Sequence, residues 1–206
     1  NTPSQLGENV GENTNNGINV YFLELTPNGT PINYVAYGLD DDRDVQFDDI
    51  VANAIETSFG YSVVGTSNTS QEEQFAFVMN LSNDGVYLSA NNHDSSAFNT
   101  ENNILETRGT GITQSLDNNL IVLGQYTNFA TGGNSRGGEG LFVKFNQAGR
   151  AMEGQESFLG LADGNDEIVD AVTLPDGKIV AVSNVDFGGG VKLISIIKIN
   201  DNGSLD

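Results

Sequence analysis

The stretch Asp170–Asp206, DAVTLPDGKIVAVSNVDFGGGVKLISIIKINDNGSLD, decides the reading of this chain. Thr173–Lys178 is a turn signal, because proline presets φ and Asp-Gly tolerates positive φ. Short β-branched runs flank it, Ile168–Thr173 and Ile179–Ser183, the pattern of a hairpin. After the glycines Gly188–Gly190, Leu193–Ile199 reads as a third strand, closed by the turn Asn200–Gly203.

The same unit recurs upstream. Ile18–Thr26 and Pro31–Tyr37 form one strand pair around Pro27–Gly29. Ile50–Thr57, Tyr61–Gly65, Phe75–Leu81 and Val86–Ala90 follow as four short strands. Thr107–Gln114, Leu120–Gly124, Leu141–Phe145 and a weaker run near Gln155–Leu159 make another four, with Thr127–Gly140 read as a glycine-rich loop. Matching Gly65, Gly124 and Val182 gives spacings of 59 and 58, and the later turns at Gly29, Gly85, Gly149 and Gly203 are spaced by 56, 64 and 54. Steady spacing in one series and drift in the other place the insertions in loops. The expectation is an all-β fold of propeller-like repeats, each of four antiparallel strands, with about three blades and thirteen strands present. The second and third strands of each unit are continuously apolar, as strands covered on both faces are. An antiparallel β-sandwich is the alternative. The units run about 18–46, 47–103, 104–165 and 166–206, preceded by a polar linker or arm over 1–17.

DAVTLPDGKIVAVS followed by IIKINDNGSLD resembles the delta-60 repeat, a propeller-type repeat of bacterial secreted and surface proteins that also occurs in surface lipoproteins of Bacteroidota. Residues 170–206 match in letters, and 47–90 and 104–159 match in pattern. That family has no common catalytic residues, so the resemblance implies display and binding at an extracytoplasmic location, at the cell surface or secreted. Its motif runs on into a further strand where this sequence stops at Asp206.

Composition narrows the partners. With 28 acidic and 8 basic residues the net charge is −20, and no Lys/Arg cluster exists to hold phosphates, which argues against nucleic acid and anionic membranes. There is no cysteine for disulfides or thiolate metal sites. No apolar run approaches the ~20 residues of a membrane helix. No signal peptide is read, and the start at Asn1 rather than Met suggests a processed or excised piece. Thirteen strands are too few for a ring of about four to eight blades. The expectation is that a missing part of the same chain, or a protein partner, completes the propeller.

Asp40, Asp42 and Asp44 have the alternating carboxylate spacing that could hold calcium, although the loop lacks the glycine and terminal glutamate of a helix–loop–helix site. Asp163, Asn165, Asp166 and Glu167 occupy the equivalent loop of the last unit. His93, beside Asp94 and Ser95, reads as a surface histidine, because triad members converge from separate elements. Tyr34, Tyr37, Tyr61, Tyr87 and Tyr126 could stack on sugars but read first as packing. Two functions follow. One is a noncatalytic, surface-exposed module for protein assembly or ligand binding. The other is a carbohydrate-active hydrolase or lyase using channel carboxylates, for which the first strands offer only Asn53, Glu56, Arg108, Gln114 and Asp170.

Overall fold

The computed structural model describes residues 20–37, 49–68, 74–93, 103–130, 135–162 and 164–206. Its elements are thirteen β-strands with no helix among the described residues. Strands β1 (Val20–Leu25) and β2 (Pro31–Tyr37) form a pair. β3 (Asp49–Thr57), β4 (Gly60–Asn68), β5 (Gln74–Ser82) and β6 (Tyr87–Asn92) form a four-stranded sheet in that order. β7 (Asn103–Gln114), β8 (Leu120–Ala130), β9 (Ser135–Phe145) and β10 (Ala151–Leu159) form a second. β11 (Glu167–Thr173), β12 (Ile179–Asp186) and β13 (Lys192–Ile199) complete the set as a three-stranded sheet. All pairings are antiparallel, and the two, four, four and three strands are those expected.

Turn chemistry sets the hairpins. In Leu174–Lys178 the Leu174 N–H donates to the Lys178 carbonyl, and Gly177, at φ +83°, supplies the left-handed residue. The glycine-rich segment departs from the expected loop. β8 runs to Ala130 and β9 starts at Ser135, so Gly138 and Gly140 lie within a strand. Both are positions of close approach: an added Cβ would meet the Gln125 side chain at Gly138 and Ile168 at Gly140. The weak fourth strand is longer than expected, with a register shift between Ala151 and Glu156 and Gly154 at φ +69°.

Three apolar layers join the four sheets in chain order. Val20 and Phe22 of β1 and Val35 and Tyr37 of β2 pack on Val63, Phe77, Met79 and Leu81. On the opposite face of the β3–β6 sheet, Val64, Ala76 and Val78 pack against Ile112, Leu120, Val122 and Val143. Ile121, Leu123 and Phe142 then meet Ile168, Ile179, Ala181 and Ile199. The two central sheets are thus buried on both faces, which accounts for their continuously apolar strands and departs from a two-sheet sandwich, where each sheet keeps one solvated face. The first strands of successive sheets lie side by side, β7 between β3 and β11. Among the described residues the strands do not close a ring. Each large apolar side chain buried here contributes ~1.5–3 kcal/mol, so these layers dominate stability.

Candidate functional site

The register shifts align the sheets residue by residue. A bulge follows Val51 opposite Gly65, Gly109 opposite Gly124, and Ile168 opposite Ser183. Ser183, rather than Val182, therefore matches Gly65 and Gly124, and both spacings become 59. Two residues before each bulge stand Asp49, Thr107 and Asp166, all buried polar side chains. Sequence reading missed this series, because Asp49 and Asp166 were indistinguishable from the acidic loops around them. Thr107 Oγ1 accepts from the Ala76 N–H of the preceding sheet at 3.0 Å, and Asp166 organises the crossover into the last sheet.

Two residues past the bulge start stand Asn53, Gly111 and Asp170, one per sheet. Asn53 Nδ2 donates to Asp170 Oδ1 at 3.0 Å, passing Gly111, where an added Cβ would lie 3.0 Å from the Asp170 Cα. The remaining residues expected on these strands act elsewhere. Arg108 Nε donates to Gln74 Oε1 at 2.6 Å, and Gln114 Nε2 donates to the Asn118 carbonyl at 3.2 Å. Glu56 is exposed. The tyrosines are mostly packed. Tyr37 is buried with its hydroxyl donating to the Gly85 carbonyl, and desolvation raises its pKa. Tyr61 and Tyr87 border the same layer, and the Tyr126 ring centroid lies 4.0 Å from that of Phe158.

Asp40, Asp42 and Asp44 lie outside the described residues, as do Asp163, residues 1–17 and Asp94–Ser96. Among the described residues no three His, Asp or Glu side chains converge as a metal site. Asp166 is 0% exposed and its carboxylate accepts backbone N–H groups.

His93 is not the surface residue that its polar neighbours suggest. It is 3% exposed, its backbone N–H donates to the Ala76 carbonyl, and its Nε2 lies 3.3 Å from Glu156 Oε2 of the next sheet. In the ladder it occupies the position of Leu159, which faces the last sheet in the same way. Burial raises the Glu156 carboxyl above its ordinary value of 4.5. As pH climbs through that interval the unfolded chain releases this proton first, so stability falls from 4.5 upward and levels off above the raised value. Glu156→Gln is expected to flatten that segment relative to the wild type in urea unfolding at stepped pH; unchanged curves would exclude the carboxyl as the source.

Lys144 ties the β7–β10 sheet to the last sheet from a buried position, with Asp201 at 2.7 Å and Asp117 at 3.3 Å. Desolvation lowers its pKa, and the hydrogen bonds and charges of the two aspartates outweigh this and leave it raised.

Among the described residues, the two ends of the stack have no further sheet packed on them. On the last sheet, Val172, Val182, Ile194 and Ile196 share the face turned away from the β7–β10 sheet. Ile194 is 79% exposed and Ile196 75%. At the other end Tyr21, Leu23, Ile50 and Val51 are exposed around a groove between β1 and the β3–β4 pair. Scattered apolar residues are ordinary on a surface, but contiguous patches of this kind mark interaction sites. No protein-family model and no curated protein matches this chain.

Proposed function

We propose that this chain is a noncatalytic β-propeller module whose end faces are covered by further protein, supplied by another part of its polypeptide or by a partner chain, and that it serves protein assembly or ligand binding. The carrying observation is the aliphatic face of the last sheet, exposed on strands whose counterparts β8 and β9 are buried on both sides. The resemblance of residues 170–206 to delta-60 repeats supports the same reading and an extracytoplasmic location, at the cell surface or secreted. The carbohydrate-active alternative needs a free pair of carboxylates near the first strands, and Asp170 there is engaged with Asn53.

The test is the solution mass of the native species beside its intact covalent mass, with binding of a hydrophobic dye. The expected result is a larger assembly, or a 21.9 kDa chain that self-associates and binds dye. The double substitution Ile194→Lys and Ile196→Lys is expected to reduce both without lowering the unfolding midpoint, since both side chains are already solvated. A dye-silent, monodisperse 21.9 kDa monomer would overturn the proposal.

A further inference from the structure

We infer that the groove beside β1 is an acceptor site for a β-hairpin of a partner polypeptide, which adds two strands to the β1–β2 pair. The inference rests on the module reading above and specifies the occupant of one end face. The groove, about 440 Å³, has Asp49, Ile50, Val51, Ala54, Tyr61, Val63 and Leu81 as its floor. Its wall is Val20, Tyr21, Phe22 and Leu23, four consecutive residues of both side-chain parities, so the wall is the edge of β1 and not one of its faces. β1 pairs with β2 alone, which leaves the backbone N–H and C=O groups along its other edge without a strand partner among the described residues. This volume falls within the ~300–1,000 Å³ of small-molecule sites, which use several placed polar side chains for orientation. Among the described residues of the lining, the polar side chains are Asp49 and the hydroxyls of Tyr21 and Tyr61, and the rest are apolar. The other polar groups on offer are those of a strand edge, and these recognise an extended backbone.

The occupant's chemistry can be read from the same interface elsewhere in the chain. Register alignment makes Val51, Ala54, Tyr61 and Val63 the counterparts of Ile168, Ala171, Ile179 and Ala181 in the last sheet. Those four are covered by Ile121 and Leu123 of β8, within a continuous apolar cluster. Ile168 is 0% exposed, and its counterpart Val51 is 42% exposed. β8 in turn hydrogen-bonds to β9, the strand that occupies in its sheet the place of β1. The groove also continues directly from the layer that already joins β1–β2 to the β3–β6 sheet. The occupant is therefore an antiparallel hairpin whose outer strand pairs with β1 and places alternate aliphatic side chains on Val51 and Val63. A second copy of this chain is a poor donor, because β3–β4, β7–β8 and β11–β12 are each hydrogen-bonded to the third strand of their own sheet.

The probe is a synthetic peptide with the sequence of residues 107–124, TRGTGITQSLDNNLIVLG, the strand pair that fills the counterpart position. Titrated into the intact chain, it is expected to bind one to one and to slow hydrogen exchange at Tyr21–Leu25. Val51→Arg in the protein, at a side chain already partly solvated, is expected to weaken binding at least about tenfold, as is placing aspartate at the Ile121 and Leu123 positions of the peptide. No binding at millimolar peptide overturns the inference, as does binding that survives Val51→Arg. If binding is lost instead with Ile194→Lys and Ile196→Lys, the hairpin site is refuted while the module reading stands. If the dye and mass tests fail as well, both fall.

Discussion

Replacing Asp166 by alanine is expected to cost about 4 kcal/mol of stability. The side chain is 0% exposed and sits where the chain crosses from β10 to β11. Its Oδ2 accepts the N–H groups of Leu161 and Ala162, each at 2.8 Å, and its Oδ1 accepts that of Asp186 at 3.1 Å. The residue's own N–H donates to the Gly138 carbonyl at 2.7 Å, and its carbonyl accepts from Gln125 Nε2 at 3.2 Å. One residue thereby fixes the crossover against β8, β9 and β12. Alanine keeps the two backbone bonds but leaves three N–H donors without their acceptor, each costing ~1–3 kcal/mol when buried, less whatever water recovers. Asp166→Asn retains one acceptor oxygen and should lose about half as much. Asp176→Ala, in an exposed turn, should stay within about 0.5 kcal/mol. Urea unfolding measures all three, and hydrogen exchange at Ala162 and Asp186 should accelerate in Asp166→Ala. A loss below about 1 kcal/mol would show that the carboxylate does not hold the crossover.

The strand plan was legible because its signals are local. Pro-Asp-Gly and Asn-Asp-Gly turns, β-branched runs between them and a period near 59 need no tertiary information. The continuous apolarity of β4, β5, β8 and β9 also revealed burial on both faces, which separates stacked sheets from a sandwich. Side-chain roles were less legible, because they depend on which loops return to the stack. His93 lies among polar residues in sequence, yet its ladder position is that of Leu159, and only the packing of one sheet on the next reveals the burial. Asp166 looked like one of four similar ligands in a loop. The structure separates it from them by aiming three N–H groups at its carboxylate. The groove has no sequence signature of its own, since its floor carries the same aliphatic pattern as the covered floor of the last sheet. The difference lies in what packs on top.

Gly124→Ala is expected to destabilise the chain by about 3 kcal/mol or more, and Gly124→Val by more still. The reason is steric. Gly124 pairs with Gly109 at the start of the bulge, and an added Cβ would sit far inside van der Waals contact distance of the Arg108 carbonyl oxygen. The obstructing atom is backbone within a two-sided buried sheet, so it cannot swing aside as a side-chain tip would. Gly65 has the same conflict with the Ile50 carbonyl, and its Cβ would also approach the Phe77 ring at 2.7 Å. The last sheet shows how the conflict is relieved. Its equivalent residue is Ser183, whose Oγ donates to the carbonyl of Glu167, the counterpart of Ile50 and Arg108, at 3.0 Å. There the strand has given way enough to admit a Cβ, and among the described residues that sheet is packed on one face only. Gly124→Ser should therefore be milder than Gly124→Val, because its hydroxyl can copy the bond of Ser183, but still worse than Gly160→Ala, where the nearest atom is 3.6 Å away. Denaturant midpoints for these four variants, with m-values to confirm an intact fold, provide the test. A tolerated Gly124→Ala would mean that the bulge is not held against its neighbours. The alignment of Gly65, Gly124 and Ser183 would then lose its physical basis, and with it the residue-by-residue matching that assigns a hairpin to the groove beside β1.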